Sequence, residues 1–198
     1  MPTPSAAANV TAWIDAASVA LMVMPPLPVA VNLSPRQFRQ KDLVDNLRRI
    51  LADTGQPARL LELEITESVF LNDDEGTDAM FAALKRVGVR LSLDDFGTGY
   101  SSLGYLKTAP FDKIKIDQSF VRDLCGDTSA RAIVRAITAM AGALGMDILA
   151  EGVELDAQAD MLRAEGCDMI QGYLISRPIP ARDVAALLGL HQGEAKRA

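Results

Sequence analysis

The chain has 198 residues, 49% hydrophobic and 23% charged, with a formal net charge of −6. That composition belongs to a globular protein with one substantial core and excludes a disordered chain. The acidic balance argues against a long nucleic acid as partner, because phosphate contacts need a basic surface, but it leaves room for a small phosphate ligand held by metal ions.

The residue inventory narrows the chemistry further. His191 is the single histidine, which removes a Ser-His-Asp triad, a histidine-ligated zinc and a histidine general base. Cys125 and Cys167 stand far apart and in no metal-binding spacing, as expected of structural thiols in a reduced cytoplasmic protein. No apolar run reaches the ~20 residues needed to cross a bilayer. Ala16–Met24 is short, follows Asp15 and has no positive leading region, so it does not read as a signal peptide.

In chain order, residues 1–28 form a poorly defined N-terminal segment, with a candidate remnant helix over Asn9–Met24 that Pro25, Pro26 and Pro28 stop. Residues 29–190 form the domain core and residues 191–198 a flexible tail. Within the core, the predicted strands are Val29–Leu33, Leu60–Ile65, Val89–Leu93, Lys113–Ile116, Asp147–Ala150 and Met169–Leu174. The predicted helices are Pro35–Asp53, Asp74–Arg86, Ser129–Leu144, Ala157–Ala164 and Ala181–Leu188. Gly55, Gly88, Gly145 and Gly166 follow four of these helices, where C-terminal glycines belong. Thr98–Phe111 reads as a longer loop with one helical turn at most. Repeated βα units predict a parallel sheet.

The strand ends carry residues that a core would not choose: Asn32, Glu64, Asp94 with Asp95, Lys115 with Asp117, Glu151 and Gln171. In a barrel, such ends gather at one mouth, where active sites lie. An open doubly wound sheet would spread them along a wider line, so the barrel is the better fit. Asp94 and Asp95 follow the apolar run Val89–Leu93 and precede a glycine-rich loop. Adjacent buried carboxylates repel, and a divalent cation relieves the penalty. Glu62 and Glu64 share one strand face and Leu63 and Ile65 the other; periodicity alone also fits an edge strand with solvated glutamates. Asn32, Glu64, Asp94, Asp95 and Glu151 form an all-oxygen set suited to magnesium or manganese. Two such ions would clamp a phosphate and activate a water. Lys115 among these acids would orient the water or stabilise phosphoryl charge, or would simply form a salt bridge. The triplet Asp95-Phe96-Gly97 also occurs in protein kinases, but no other kinase signature is present.

Six runs occur together: Val31-Asn32-Leu33-Ser34, Glu64-Ile65-Thr66-Glu67-Ser68, Asp94-Asp95-Phe96-Gly97-Thr98-Gly99-Tyr100-Ser101-Ser102-Leu103, Lys115-Ile116-Asp117-Gln118-Ser119-Phe120, Ala150-Glu151-Gly152-Val153-Glu154 and Gln171-Gly172-Tyr173-Leu174 leading into Ser176-Arg177-Pro178. In this order they resemble the EAL family of cyclic-di-GMP phosphodiesterases. The resemblance implies a TIM-type (β/α)₈ barrel, of α/β class, whose first strand runs against the rest. It implies metal-dependent hydrolysis of cyclic-di-GMP to the linear dinucleotide, with magnesium or manganese in a two-metal site and calcium as inhibitor. Asn32, Glu64, Asp94 and Glu151 would hold one metal, and Asp94 with Asp95 the second. Lys115 and Gln171 would position the attacking water, and Glu67 would anchor the Phe96–Ser102 loop, which in the family lies at a dimer interface. The signature Glu-Ala-Leu is absent from these residues. The expectation is therefore a barrel lacking about its first two strands, with exposed sheet edge and apolar core, weak or no turnover, and a homodimer through the Phe96–Ser102 region or the open edge. A binding module without turnover is the alternative.

Overall fold

The structure, a computed structural model, describes residues 27–71, 75–97, 103–180, 183–184 and 186–188. The candidate helix Asn9–Met24, the loop over residues 98–102 and the C-terminal tail lie outside them.

Six strands and seven helices follow one another among the described residues. These are β1 (Val29–Asn32), α1 (Pro35–Phe38), α2 (Leu43–Thr54), β2 (Leu61–Thr66), α3 (Glu75–Val87), β3 (Arg90–Phe96), α4 (Leu103–Thr108), β4 (Lys113–Ile116), α5 (Gln118–Asp123), α6 (Thr128–Leu144), β5 (Asp147–Ala150), α7 (Asp156–Ala164) and β6 (Met169–Ile170). Single 3₁₀ turns precede β2, at Ala58–Leu60, and follow it, at Glu67–Leu71. The strands lie in sequence order in one sheet, and every pairing is parallel. This is part of a TIM-type barrel wall with its helices outside.

The alternation along the strands divides the wall. Leu61, Leu63, Ile65, Leu91, Leu93, Ile114, Ile116, Ile148 and Ala150 are all buried and join one core with helix residues such as Leu47, Leu84, Val134 and Leu162. Phe81 centres an aromatic cluster there, with Phe38 at 4.9 Å, Phe111 at 5.4 Å and Phe70 at 5.6 Å between ring centroids. Burying each such ring contributes about 1.5–3 kcal/mol. The opposite, inner face is mostly charged: Glu62 and Glu64, Arg90, Ser92 and Asp94, Lys113 and Lys115, then Asp147. Only Ala30, Leu149 and Met169 are apolar on it, by the ladder register. Among the described residues, the large exposed hydrophobics are Ile133, Leu144, Leu155, Tyr173, Ile175 and Ile179; the last three follow β6, an edge strand of the sheet. The apolar layer lies between sheet and helices, not inside the wall.

Several boundaries differ from the pattern-based prediction. The helix expected over Pro35–Asp53 is two helices. Ser34 caps the first with a capping box, and a tight Gln40 N to Gln37 O bond of 3.0 Å closes it. Asp42 then starts the second, accepting from the Asn46 backbone and side-chain amides, both at 2.9 Å. A helix over Gln118–Asp123 was not anticipated; Asp117 caps it, accepting from Ser119 N at 2.9 Å. The loop predicted over Thr98–Phe111 contains the six-residue helix α4. The last strand ends at Ile170 rather than Leu174, because Gln171, Gly172 and Leu174 turn back over Val153. Of the predicted helix Ala181–Leu188, residues 183–184 and 186–188 are helical.

Candidate metal and active site

Lys115 is the centre of the site. Its ammonium lies 2.8 Å from Glu64 Oε1, 2.8 Å from Asp94 Oδ1 and 2.7 Å from Glu151 Oε1. Glu64 and Asp94 stand on β2 and β3 and Glu151 just after β5, so three strands converge on one point of β4. The residue is only 3% exposed. Burial opposes its charge, but the bonds to Asp94, Glu151 and Glu64 outweigh burial and hold its pKa above the ordinary lysine value. Burial raises the Glu151 carboxyl above its usual range, and Lys115 only partly offsets this.

A regular strand sends adjacent side chains to opposite faces. Asp94 and Asp95 escape that rule through a bulge. Leu93 pairs with Ile114 and Phe96 with Ile116, so β3 carries one more residue than β4 across this interval. Asp95 takes up the extra residue in the left-handed region, at φ 54°, a conformation aspartate tolerates at a cost of about 1 kcal/mol. Bulges commonly re-aim side chains beside active sites. Here the bulge brings carboxylate oxygens of Asp94, Asp95 and Glu151 within 4.8 Å of one another. Desolvation, then Asp94 and Asp117, push the Asp95 carboxyl above its ordinary value.

The other expected residues surround this centre. Asn32 lies opposite Glu64 in the β1–β2 ladder and is exposed. Glu67 accepts the Gly97 N–H at 3.0 Å, at the start of the segment that follows Phe96. Gly97 has φ 95°, and a Cβ there would lie 2.9 Å from the Phe120 ring, so glycine is required. Gln171 donates its N–H to Ala150 O at 2.8 Å and accepts from Val153 N at 3.0 Å. It lines a cleft of about 260 Å³ with Gln118, Glu151, Gly152, Glu154, Gly172 and Tyr173. Gly172 permits this crossing, because a Cβ would stand 2.2 Å from Val153 O.

The sequence reading did not single out Gln118, Glu154 and Tyr173 as cleft residues, nor a second buried pair. Lys113 Nζ lies 2.8 and 2.7 Å from the two Glu62 oxygens. A signal for that pair was present: Glu62 with Glu64, and Lys113 with Lys115, each repeat at the two-residue period of one strand face.

The donor chemistry fits a hard divalent cation. Glu64, Asp94 and Glu151 set three carboxylates against one ammonium, and Asp95 adds a fourth. The surplus is negative, and every donor is oxygen.

A profile of the EAL domain matches residues 7–178. The chain is 44% identical over 159 residues to the bifunctional diguanylate cyclase/cyclic di-GMP phosphodiesterase MucR of Pseudomonas aeruginosa, covering 80% of this chain and 23% of MucR. Its fold is similar to the EAL domain of Mycobacterium smegmatis DcpA, with a TM-score of 0.87 and 38% identity over 91% of this chain and 82% of that one. It is also similar to Klebsiella pneumoniae BlrP1 in a manganese/cyclic-di-GMP complex, with a TM-score of 0.80 and 30% identity over 87% of this chain and 44% of that one. The chain spans roughly a fifth of the length of the curated relatives it matches. No helix among the described residues is long and apolar enough to cross a membrane. With the profile extending over most of its length, the chain belongs to the EAL domain family.

Proposed function

We propose that the chain is a cyclic-di-GMP phosphodiesterase module that hydrolyses one phosphodiester of the cyclic dinucleotide to give the linear form. The observation that carries this reading is the convergence of Glu64, Asp94 and Glu151 on the Lys115 ammonium at 2.7–2.8 Å. MucR is named as a cyclic di-GMP phosphodiesterase, and BlrP1 was crystallised with manganese and the cyclic dinucleotide. Asn32, Glu64, Asp94 and Glu151 would hold one magnesium or manganese ion, and Asp94 with Asp95 a second, with calcium inhibitory. Bound there, the cations supply positive charge to the phosphate and lower the pKa of a water.

The chain's own groups do the rest. Lys115 holds a positive charge where a phosphoryl oxygen gains negative charge; its three donors bond Glu64, Asp94 and Glu151 and would turn to a water as cations take up those carboxylates. Gln171, beside Glu151 in the cleft, offers a neutral amide to the same water. Glu67 fixes Gly97 and so the start of the loop after Phe96. The free thiols Cys125 and Cys167 suit a cytoplasmic setting.

One observation favours the alternative, a module that binds the dinucleotide or a protein partner without turnover. On β1, the inner-face residues Ala30 and Asn32 are exposed, so the Asn32 side of the ligand set is open to water. Assaying the linear product by chromatography in manganese separates the readings. With the Asn32 side open to water, turnover is expected to be slow. Joining two further EAL-type strands to the β1 edge is expected to raise the rate at least about 100-fold by enclosing that side of the ligand set. A joined barrel that binds manganese and shows no turnover would leave only the binding module.

Among the described residues β1 pairs only with β2, and this edge, with the segment after Phe96, makes self-association the expected state. Light scattering should give a dimer mass at micromolar concentration. A monomer across the whole range would remove the homodimer from the proposal.

A further inference from the structure

The buried Glu62–Lys113 pair stands one layer beneath the site. Lys113 is 9% exposed and Glu62 6%, and both ammonium bonds go to the two oxygens of Glu62. The strand register makes this pairing informative. Glu64 is opposite Ser92, and Ser92 is opposite Lys113. Lys113 is therefore level with Glu64, yet it leans down to Glu62. Ser92 lies between them fully buried, and its hydroxyl makes no hydrogen bond. Glu64 thus has two lysines within its layer and the next, and it takes the ammonium of Lys115.

We propose that Glu62 is a positioning residue that holds the Lys113 ammonium away from Glu64, so that Glu64 keeps its negative charge for a divalent cation. The inference rests on the reading of Glu64 as a metal ligand. A buried ammonium without a counter-charge is costly and seeks another carboxylate. Two are level with Lys113. Asp147 is its direct ladder partner, but Asp147 already receives the Arg90 guanidinium. Arg90 also stands 3.9 Å from Glu62, so its charge is shared at the floor of the wall. Glu64 is the other. If Glu62 loses its charge, Lys113 moves up to Glu64 and brings a second cation into the ligand set, where it repels the metal ion.

Titration calorimetry with manganese on the full chain tests this. Glu62→Gln is expected to weaken binding on the order of tenfold, given an effective dielectric of ~20 at such sites. Removing the displaced cation as well, in Glu62→Gln with Lys113→Gln, is expected to restore affinity to within about twofold of wild type, and Lys113→Gln alone to stay within the same range. Unchanged affinity in Glu62→Gln overturns the proposal, because Lys113 has then gone to Asp147 or stayed in place. Equal weakening in the single and double variants also overturns it, because the pair is then only scaffolding. Should Glu62→Gln fail to fold, Lys113→Gln decides, since a tenfold loss there contradicts the proposal. Asp94→Asn separates the two layers of argument. If wild type and Asp94→Asn give the same heats, the metal site itself fails and this inference with it. If they differ while Glu62→Gln matches wild type, this inference alone fails.

Discussion

Replacing Lys115 with alanine is expected to lower cyclic-di-GMP turnover by about 10³-fold, in the range lost when one charge-stabilising donor is removed from an active site. The comparison belongs on the joined barrel, where wild-type turnover is highest. The same change acts on stability. Lys115 is the shared counter-charge of three carboxylates, and breaking a buried ion pair on one side costs about 3–5 kcal/mol. That cost depends on pH, and its sign follows from which groups are left behind. Without the ammonium, Glu151, whose pKa burial has already lifted, loses the bond that held it down and faces two uncompensated carboxylates. Groups with raised folded pKa values lose stability as pH rises through those values. Urea denaturation in chelator should therefore show the largest deficit at neutral pH and a much smaller one near the ordinary carboxylate range. An equal deficit at both pH values would mean that lost packing, not charge, is the cause.

Asp94→Asn is expected to weaken manganese binding at least about 100-fold, since even a group supporting a ligand is worth about 10–100-fold. Asp94 is only 8% exposed and belongs to both proposed ligand sets, so no neighbour substitutes for it. The amide keeps the shape and removes one of the charges crowded around Lys115. The metal-free protein should therefore be unchanged or slightly more stable, while calorimetric heats fall to baseline. A variant that binds manganese like wild type would refute the site. One that loses both binding and metal-free stability would assign Asp94 a packing role instead.

The βα rhythm and the polar strand ends were readable because both depend on local pattern. Val89, Leu91 and Leu93 alternate with polar residues after Gly88, and Ile148–Ala150 is a short apolar run after Gly145. Their ends needed only the barrel rule to be placed at one mouth. What the pattern missed depends on contacts distant in sequence or on backbone irregularity. Glu62 reads as a solvated strand residue until Lys113, 51 positions later, arrives across β3. The bulge at Asp95 leaves no periodic trace, because strand alternation is the very signal it interrupts. The break at Asp42 was hidden because Pro35 and the apolar positions after it fit one continuous helix. The helix after Asp117 was missed although its Asp-Gln-Ser sequence carries a capping signal. Asp117 was read as part of the polar rim, and the structure shows it capping α5.

The division of the wall into a greasy outside and a charged inside bears on how a further strand can add to the β1 edge. An ordinary barrel is zipped shut by oil filling its lumen, which makes half a barrel a hazard to itself. Here the lumen side is an ionic bed, Glu62 with Lys113 and Glu64 with Lys115, whose lysines are buried and whose charges satisfy one another. A strand laid against β1 would gain backbone ladder bonds and ionic contacts on the inside, and would gain apolar contact only through whatever helix it brought outside. Addition of a strand is thus coupled to ionic strength and to the charge of the bed, so that loading cations into the bed and covering it become parts of one equilibrium.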